Sequence, residues 1–161
     1  MIKKELTYLD VEIKGDDYIE VEKTETVKFM HTLRSVRLYE QRMGRNFFED
    51  YAKASLLFTQ YIKGFDIDDV NNLDFDQTLA LMPLLSDPVI NGFLMNCVPC
   101  MYVEVHDGLF VQNEDTASNA EDSLWFMELV NLEFFGELMT ELSANQNKVP
   151  AKKTAKRSKN A

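Results

Sequence analysis

Residues 32–44, Thr-Leu-Arg-Ser-Val-Arg-Leu-Tyr-Glu-Gln-Arg-Met-Gly, are where the chain changes its period. Leu33, Val36, Tyr39 and Met43 recur at steps of three and four, which marks one face of a helix. Gly44 is placed as its C-terminal stop. The pattern ahead of this stretch is different. Leu6 to Ile13 reads as a strand with Val11 and Ile13 on one face, Gly15-Asp16-Asp17 reads as a turn, and Tyr18, Ile19 and Val21 begin a second strand that reaches Phe29. A two-stranded hairpin is marginal alone, so this one is expected to lean on the helices.

Beyond Gly44, Asn46 followed by Glu49 resembles a capping box and opens a helix to about Lys63, with Gly64 as its end. Phe48, Tyr51, Ala52, Ser55, Phe58 and Ile62 form its stripe. Asp66 to Asp76 is an acidic linker. A short helix follows Asp74 or Asp76, and Pro83 interrupts or ends it. Asp87-Pro88 is an N-cap and first-turn pair for a helix through Cys97, which Pro99 ends or kinks. Residues 101–112 admit two readings. Either Asp107-Gly108 makes the type I′ turn of a hairpin, or the helix runs on to His106 and Asp107-Gly108 caps it. Asn113 to Ala120 reads as a polar loop, and Glu121 to Ser143 as the last helix. The fold class expected is mainly α: a small N-terminal β-hairpin (1–30) on a compact helical domain (31–146), followed by a disordered basic tail (147–161).

Charge is divided between body and tail. Six of the 17 basic residues (Lys148, Lys152, Lys153, Lys156, Arg157 and Lys159) lie after Gln146, with no acid among them. That leaves 11 against 27 acidic residues, so residues 1–146 sum to −16. A segment with so little apolar material cannot offset the entropy of ordering, so the tail is expected to be disordered. The acidic body repels phosphates, which argues against nucleic acid and anionic membranes as partners. No apolar run approaches the ~20 residues that span a bilayer. Met1-Ile2-Lys3-Lys4-Glu5 leads into no apolar signal core. Two cysteines fit a reducing cytoplasm.

The segment Leu124 to Leu142 is unusually apolar, at 12 of 19 residues. On a helical wheel, ten of the twelve fall within roughly 220°, about twice the stripe that a surface helix needs. Glu133, Glu137 and Glu141 line the opposite side. The arc fits a central helix packed on both sides, or two short helices broken near Asn131. It also fits a helix that keeps Leu132, Phe135, Leu138, Met139 and Leu142 exposed for a partner or for self-association.

Candidate chemistry is sparse. Cys97-Val98-Pro99-Cys100 has redox spacing, but Cys97 sits near a helix end, where the dipole disfavours a thiolate. Cys97, Cys100 and His106 supply at most three of the four ligands of a zinc site, with His31 distant in sequence. Asp66, Asp68 and Asp69 lack the glycine and the closing glutamate of a calcium loop. His31 and His106 have no nucleophile partner in the sequence and read as surface or cap residues. These residues point to no enzyme, no cofactor and no metal.

The run from Phe29 to Tyr51, with its Thr32-Leu33-Arg34, Arg37, Glu40, Gly44 and Phe47-Phe48, resembles the first helices of tail assembly chaperones of long-tailed phages of Gram-positive bacteria. The Leu124 to Leu142 segment and the Lys-rich end are similar in character, so the resemblance covers most of the chain. It implies a helical protein of the host cytoplasm that binds the tape measure protein and recruits tail tube subunits around it. It also implies a programmed frameshift near the end of the short form, and Lys152-Lys153 is a pair that a run of adenines encodes. The −16 body is not required by the family pattern. It favours an alternative, an acidic inhibitor that mimics nucleic-acid charge and blocks a basic host enzyme.

Overall fold

The computed structural model describes residues 1–63 and 74–146. The acidic linker up to residue 73, the helix stop assigned to Gly64 and the basic tail lie outside the described residues. Two long strands come first, β1 (Ile2–Lys14) and β2 (Asp17–Phe29), each of 13 residues. Four helices follow: α1 (Leu33–Met43), α2 (Phe47–Ile62), α3 (Phe75–Ser86) and α4 (Pro88–Met101). A second hairpin, β3 (Tyr102–His106) and β4 (Leu109–Val111), leads into α5 (Glu114–Asp122), a 3₁₀ helix (Leu124–Leu129) and α6 (Leu132–Gln146).

The expectation of a mainly α fold is overturned. The four strands form one antiparallel sheet in the order β1-β2-β3-β4, so the architecture is α+β. The first hairpin is a full-length ribbon, paired from Ile2↔Phe29 to Lys14↔Asp17. The second is joined to it through only two rungs, Lys28↔Val103 and Phe29↔Tyr102. Asp107 (φ 52) and Gly108 (φ 76) both take left-handed backbone, as a type I′ turn requires, and this decides between the two readings of residues 101–112.

Local signals explain most helix bounds. Thr32 and Ser35 form a reciprocal capping box at the start of α1, and Gly44 ends it with φ 63. Asn46 accepts from the Glu49 N–H at 3.0 Å. Asp87 Oδ1 accepts from Val89 and Ile90 at 2.9 and 3.1 Å. Pro83 and Pro99 break neither helix: α3 runs on to Ser86 and α4 to Met101. The polar loop expected at 113–120 is a helix instead. Asn113 and Thr116 make a capping box, and α5 buries only the small residues Thr116, Ala117 and Ala120. Small side chains let it approach α4 closely without an apolar stripe that the sequence would advertise.

The core is continuous. α4 is central and packs on α1, α2, α3 and α5. Phe29, Phe47, Leu94, Phe134, Phe135 and Leu138 are among its fully buried side chains. Among the described residues no single helix is long and apolar enough to cross a membrane.

Candidate functional site

The broad apolar arc at residues 124–142 is not an open surface. The chain breaks at Val130-Asn131, where Asn131 Oδ1 caps the Phe134 N–H at 2.8 Å, so the segment is two short helices. Phe135, Leu138, Met139 and Leu142 are buried in the core, and Leu132 packs against it half-buried. None of the five residues expected to bind a partner presents an exposed face. The root of the first hairpin and helix α2 cover this segment, with Tyr51 Oη and Ser143 Oγ 2.9 Å apart between α2 and α6.

The exposed apolar surface lies elsewhere, on the first hairpin. Antiparallel partners share a face, so Ile2, Leu6 and Tyr8 fall on one side with Val27 and Phe29. That side rests on the 3₁₀ helix and α6, with Ile2, Val27 and Phe29 buried and Leu6 and Tyr8 packed against the core. After Tyr8 the apolar residues change parity. Leu9, Val11 and Ile13 point to the opposite side, together with Tyr18 across the ladder from Ile13. They are 63, 56, 81 and 76 % exposed. At about 3.4 Å per residue, the stretch from Leu9 to the turn extends some ~20 Å. It is an arm whose outer face carries four large apolar side chains with no core beneath them.

Polar residues frame this patch. Glu22 lies opposite Leu9, and Glu20 opposite Val11. Thr7 and Thr24 face each other with their hydroxyls 3.1 Å apart. On the inner side of the arm Lys23 bridges Asp10 at 2.5 Å and Glu12 at 3.9 Å. The bond to Lys23 comes first and the Val11 N–H second in holding the Asp10 carboxyl below its usual value. At the root, Lys4 reaches Glu137 at 2.7 Å and Glu133 at 3.4 Å, and the N-terminal amine reaches Glu141 at 2.8 Å. The acidic face expected on α6 is therefore in part an anchor for the arm.

The groups weighed for chemistry have structural roles. Cys97 and Cys100 are free thiols buried in α4. Burial pushes the Cys97 thiol well up and that of Cys100 to about 12, the reverse of a reactive pair. Among the described residues no three His, Cys, Asp or Glu side chains are grouped to hold a metal ion. A cavity of about 250 Å³ lies between α1, α2 and α4. Beside it Tyr39 Oη donates to Asp50 at 2.7 Å, and Arg45 bridges the same carboxylate at 2.8 Å. Burial, and then the bond to Asp50, push the Tyr39 phenol well above its usual value, so it stays a neutral donor.

His106 Nε2 lies 2.7 Å from Glu104 on the exposed second hairpin. His31 is half-buried and stacks on Phe47 at 5.3 Å, with no hydrogen-bond partner at Nδ1 among the described residues. Burial lowers its pKa from 6.5, opposed by the charge of Glu141. A lowered imidazole pKa contributes stability that is complete above 6.5 and is lost as pH falls below it toward the folded-state value. Melting temperature is therefore expected to fall between about pH 7 and pH 5, and less steeply for His31→Phe. Equal slopes for the two proteins would remove His31 as the cause.

Comparison with known proteins finds no family model, no curated protein and no solved structure that matches this chain. The reading of function therefore rests on the arm and on the residues around it.

Proposed function

We propose that this protein is an assembly chaperone that holds apolar helical segments of a client on the outer face of its arm. The observation that carries this reading is the stripe of Leu9, Val11, Ile13 and Tyr18, exposed and held clear of the core among the described residues. An exposed apolar patch rimmed by polar groups is the usual mark of a protein contact. A helical client offers stripes of the same kind, and an open two-stranded face fits a range of them because it forms no closed pocket. The resemblance at Phe29 to Tyr51 implies a phage tape measure protein as the client, with tail tube subunits recruited around it in the host cytoplasm, and a frameshifted longer form fits the same scheme. The acid-rich surface serves solubility in this reading. Charge mimicry is less favoured, because six of the carboxylates are tied in ion pairs, two each with Arg42, Lys4 and Lys23, rather than presented as free phosphate-like charges.

The test is co-expression with the tape measure protein. Its soluble fraction is expected to rise with the wild-type chain. With the double substitution Ile13→Glu, Tyr18→Glu it is expected to return to the level without the chain, at an unchanged melting temperature. A client equally soluble with the wild-type chain, with the variant and alone would overturn the proposal.

A further inference from the structure

The outer edge of β1 is the longest unsatisfied element of the described structure. In a hairpin closed by a two-residue turn, the pair flanking the turn is hydrogen-bonded, and bonded and non-bonded pairs alternate from there. Lys14↔Asp17 is that closing pair. The even-numbered residues of β1 therefore bond to β2. The N–H and C=O groups of Lys3, Glu5, Thr7, Leu9, Val11 and Ile13 point away from it, along an edge that no strand in the described residues covers, and of these the Val11 N–H donates to Asp10 Oδ1 at 2.8 Å. The other edge of the ribbon is occupied by β3 only at Lys28 and Phe29, which leaves the β1 edge the longer of the two uncovered edges among the described residues. A long free edge is a template for another strand, and native proteins cover it or blunt it.

We infer that a second copy of the chain covers this edge, with the two β1 strands antiparallel about a two-fold axis at Tyr8. The strand is self-complementary in this register. Residue i lies opposite residue 16 − i, so the whole span from Ile2 to Lys14 is paired and every outward N–H and C=O group meets a partner, the Val11 N–H exchanging Asp10 Oδ1 for the Glu5 carbonyl of the second copy. Lys4 faces Glu12 of the second copy, twice by symmetry, and Lys14 lies over Ile2, beside the Glu137 and Glu141 carboxylates that hold the root. Tyr8 meets Tyr8 on the axis as an aromatic pair, a favourable cross-strand combination. No like charges stand opposite each other. Slipping the partner by two residues toward the tips sets Lys4 against Lys14, and by four sets Asp10 against Asp10. A slip of two the other way leaves Lys14 without a partner and sets Ile13 against Met1, outside the strand. Length, hydrogen-bond parity and charge thus select one register.

The pairing joins the two arms edge to edge and leaves their outer faces open. Ile13 and Tyr18 of each copy stay accessible, so client binding and dimer formation are separable.

Sedimentation velocity on the full chain is expected to show a particle of twice the 18.6 kDa chain mass. Thr7→Pro removes an outward N–H but no bond to β2, a position where an edge strand tolerates proline. It is expected to raise the dimer dissociation constant about tenfold or more. Glu12→Lys, which sets a cation against Lys4, is expected to act in the same direction. Tyr8→Cys is expected to give a disulfide-linked dimer with oxidised glutathione, since non-bonded partners lie about 4.5 Å apart at Cα. Val11→Cys, opposite Glu5, is expected to give none. The native Cys97 and Cys100 are buried and do not compete. A monomer at every concentration up to the solubility limit, or cross-linking at Val11 in preference to Tyr8, would overturn the inference. Loss of client binding in the Ile13→Glu, Tyr18→Glu protein bears on the proposed function alone, because Ile13→Glu would face Lys3 in the dimer and leave it intact.

Discussion

Truncating Phe29 to alanine is expected to cost about 3–5 kcal/mol of folding stability, the largest effect of any single substitution considered for this protein. Phe29 is the last residue of β2 and is fully buried. Its ring lies 5.6 Å from Phe134, 6.1 Å from Tyr102 and 6.2 Å from Trp125, so the first hairpin, the second hairpin, the 3₁₀ helix and α6 all meet on it. Removing the ring takes away its transfer energy and leaves a cavity that four separate elements cannot close together. A domain of this size is stable by only about 5–15 kcal/mol, so the loss is a large share of the total. Urea denaturation should show a lower midpoint with an unchanged slope. A loss under about 1 kcal/mol would mean that the root of the arm is not packed as described.

Replacing Gln112 with leucine is expected to cost about 3 kcal/mol, although shape and volume are nearly kept. The Gln112 amide is buried and fully used. Its Nε2 donates to the carbonyls of Met30 and Met101, each at 3.0 Å, and its Oε1 accepts from the Thr32 hydroxyl at 2.6 Å. These three groups belong to the end of the arm, the end of α4 and the N-cap of α1. The Met101 carbonyl keeps the Met30 N–H at 2.8 Å, but the second donor to it, the Met30 carbonyl's bond and the acceptor for Thr32 all go at once. Buried polar groups left unpaired cost about 1–3 kcal/mol each when water cannot reach them. Gln112→Glu supplies no donor for the two carbonyls and is expected to be no better at pH 7. Chemical denaturation of the two variants checks both statements, and a change below about 0.5 kcal/mol in either would show that water replaces the amide.

Helices α1, α2 and α4 were legible because each carries a cap and a start or stop: Thr32 with Gly44, Asn46, and Asp87-Pro88. Helix α5 was not, because its buried face is Thr116, Ala117 and Ala120, and small side chains produce no hydrophobic period. The arc from Leu124 to Leu142 misled for a geometric reason. A wheel at ~100° per residue assumes one unbroken helix. The break at Val130-Asn131 re-aims the chain, so two separate stripes were laid over each other and looked like one very wide face. The first hairpin was readable, although its first strand begins at Ile2 rather than Leu6, and the second was one of two readings; the sheet was not legible, since Phe29 and Tyr102 are far apart in sequence and no local pattern announces their pairing. The candidate surface was partly visible. Val11 and Ile13 stood on one face, and the structure places Ile2, Leu6 and Tyr8 on the other. A ribbon lying on one core can bury only one of its sides. The change of parity at Leu9 is thus the signal for a patch that the core cannot reach.

The root of the arm joins the two ends of the described chain. Ile2 and Phe29 are covered by Trp125, Phe134 and their neighbours, and Lys4 is held by Glu133 and Glu137. A hairpin of two strands has little stability of its own. On a ribosome the first thirty residues therefore wait for their full seat until more than a hundred further residues have been made and helix α6 has closed over them. A chain cut short before α6 lacks the seat on which the ribbon rests, so only a finished body holds out a structured arm.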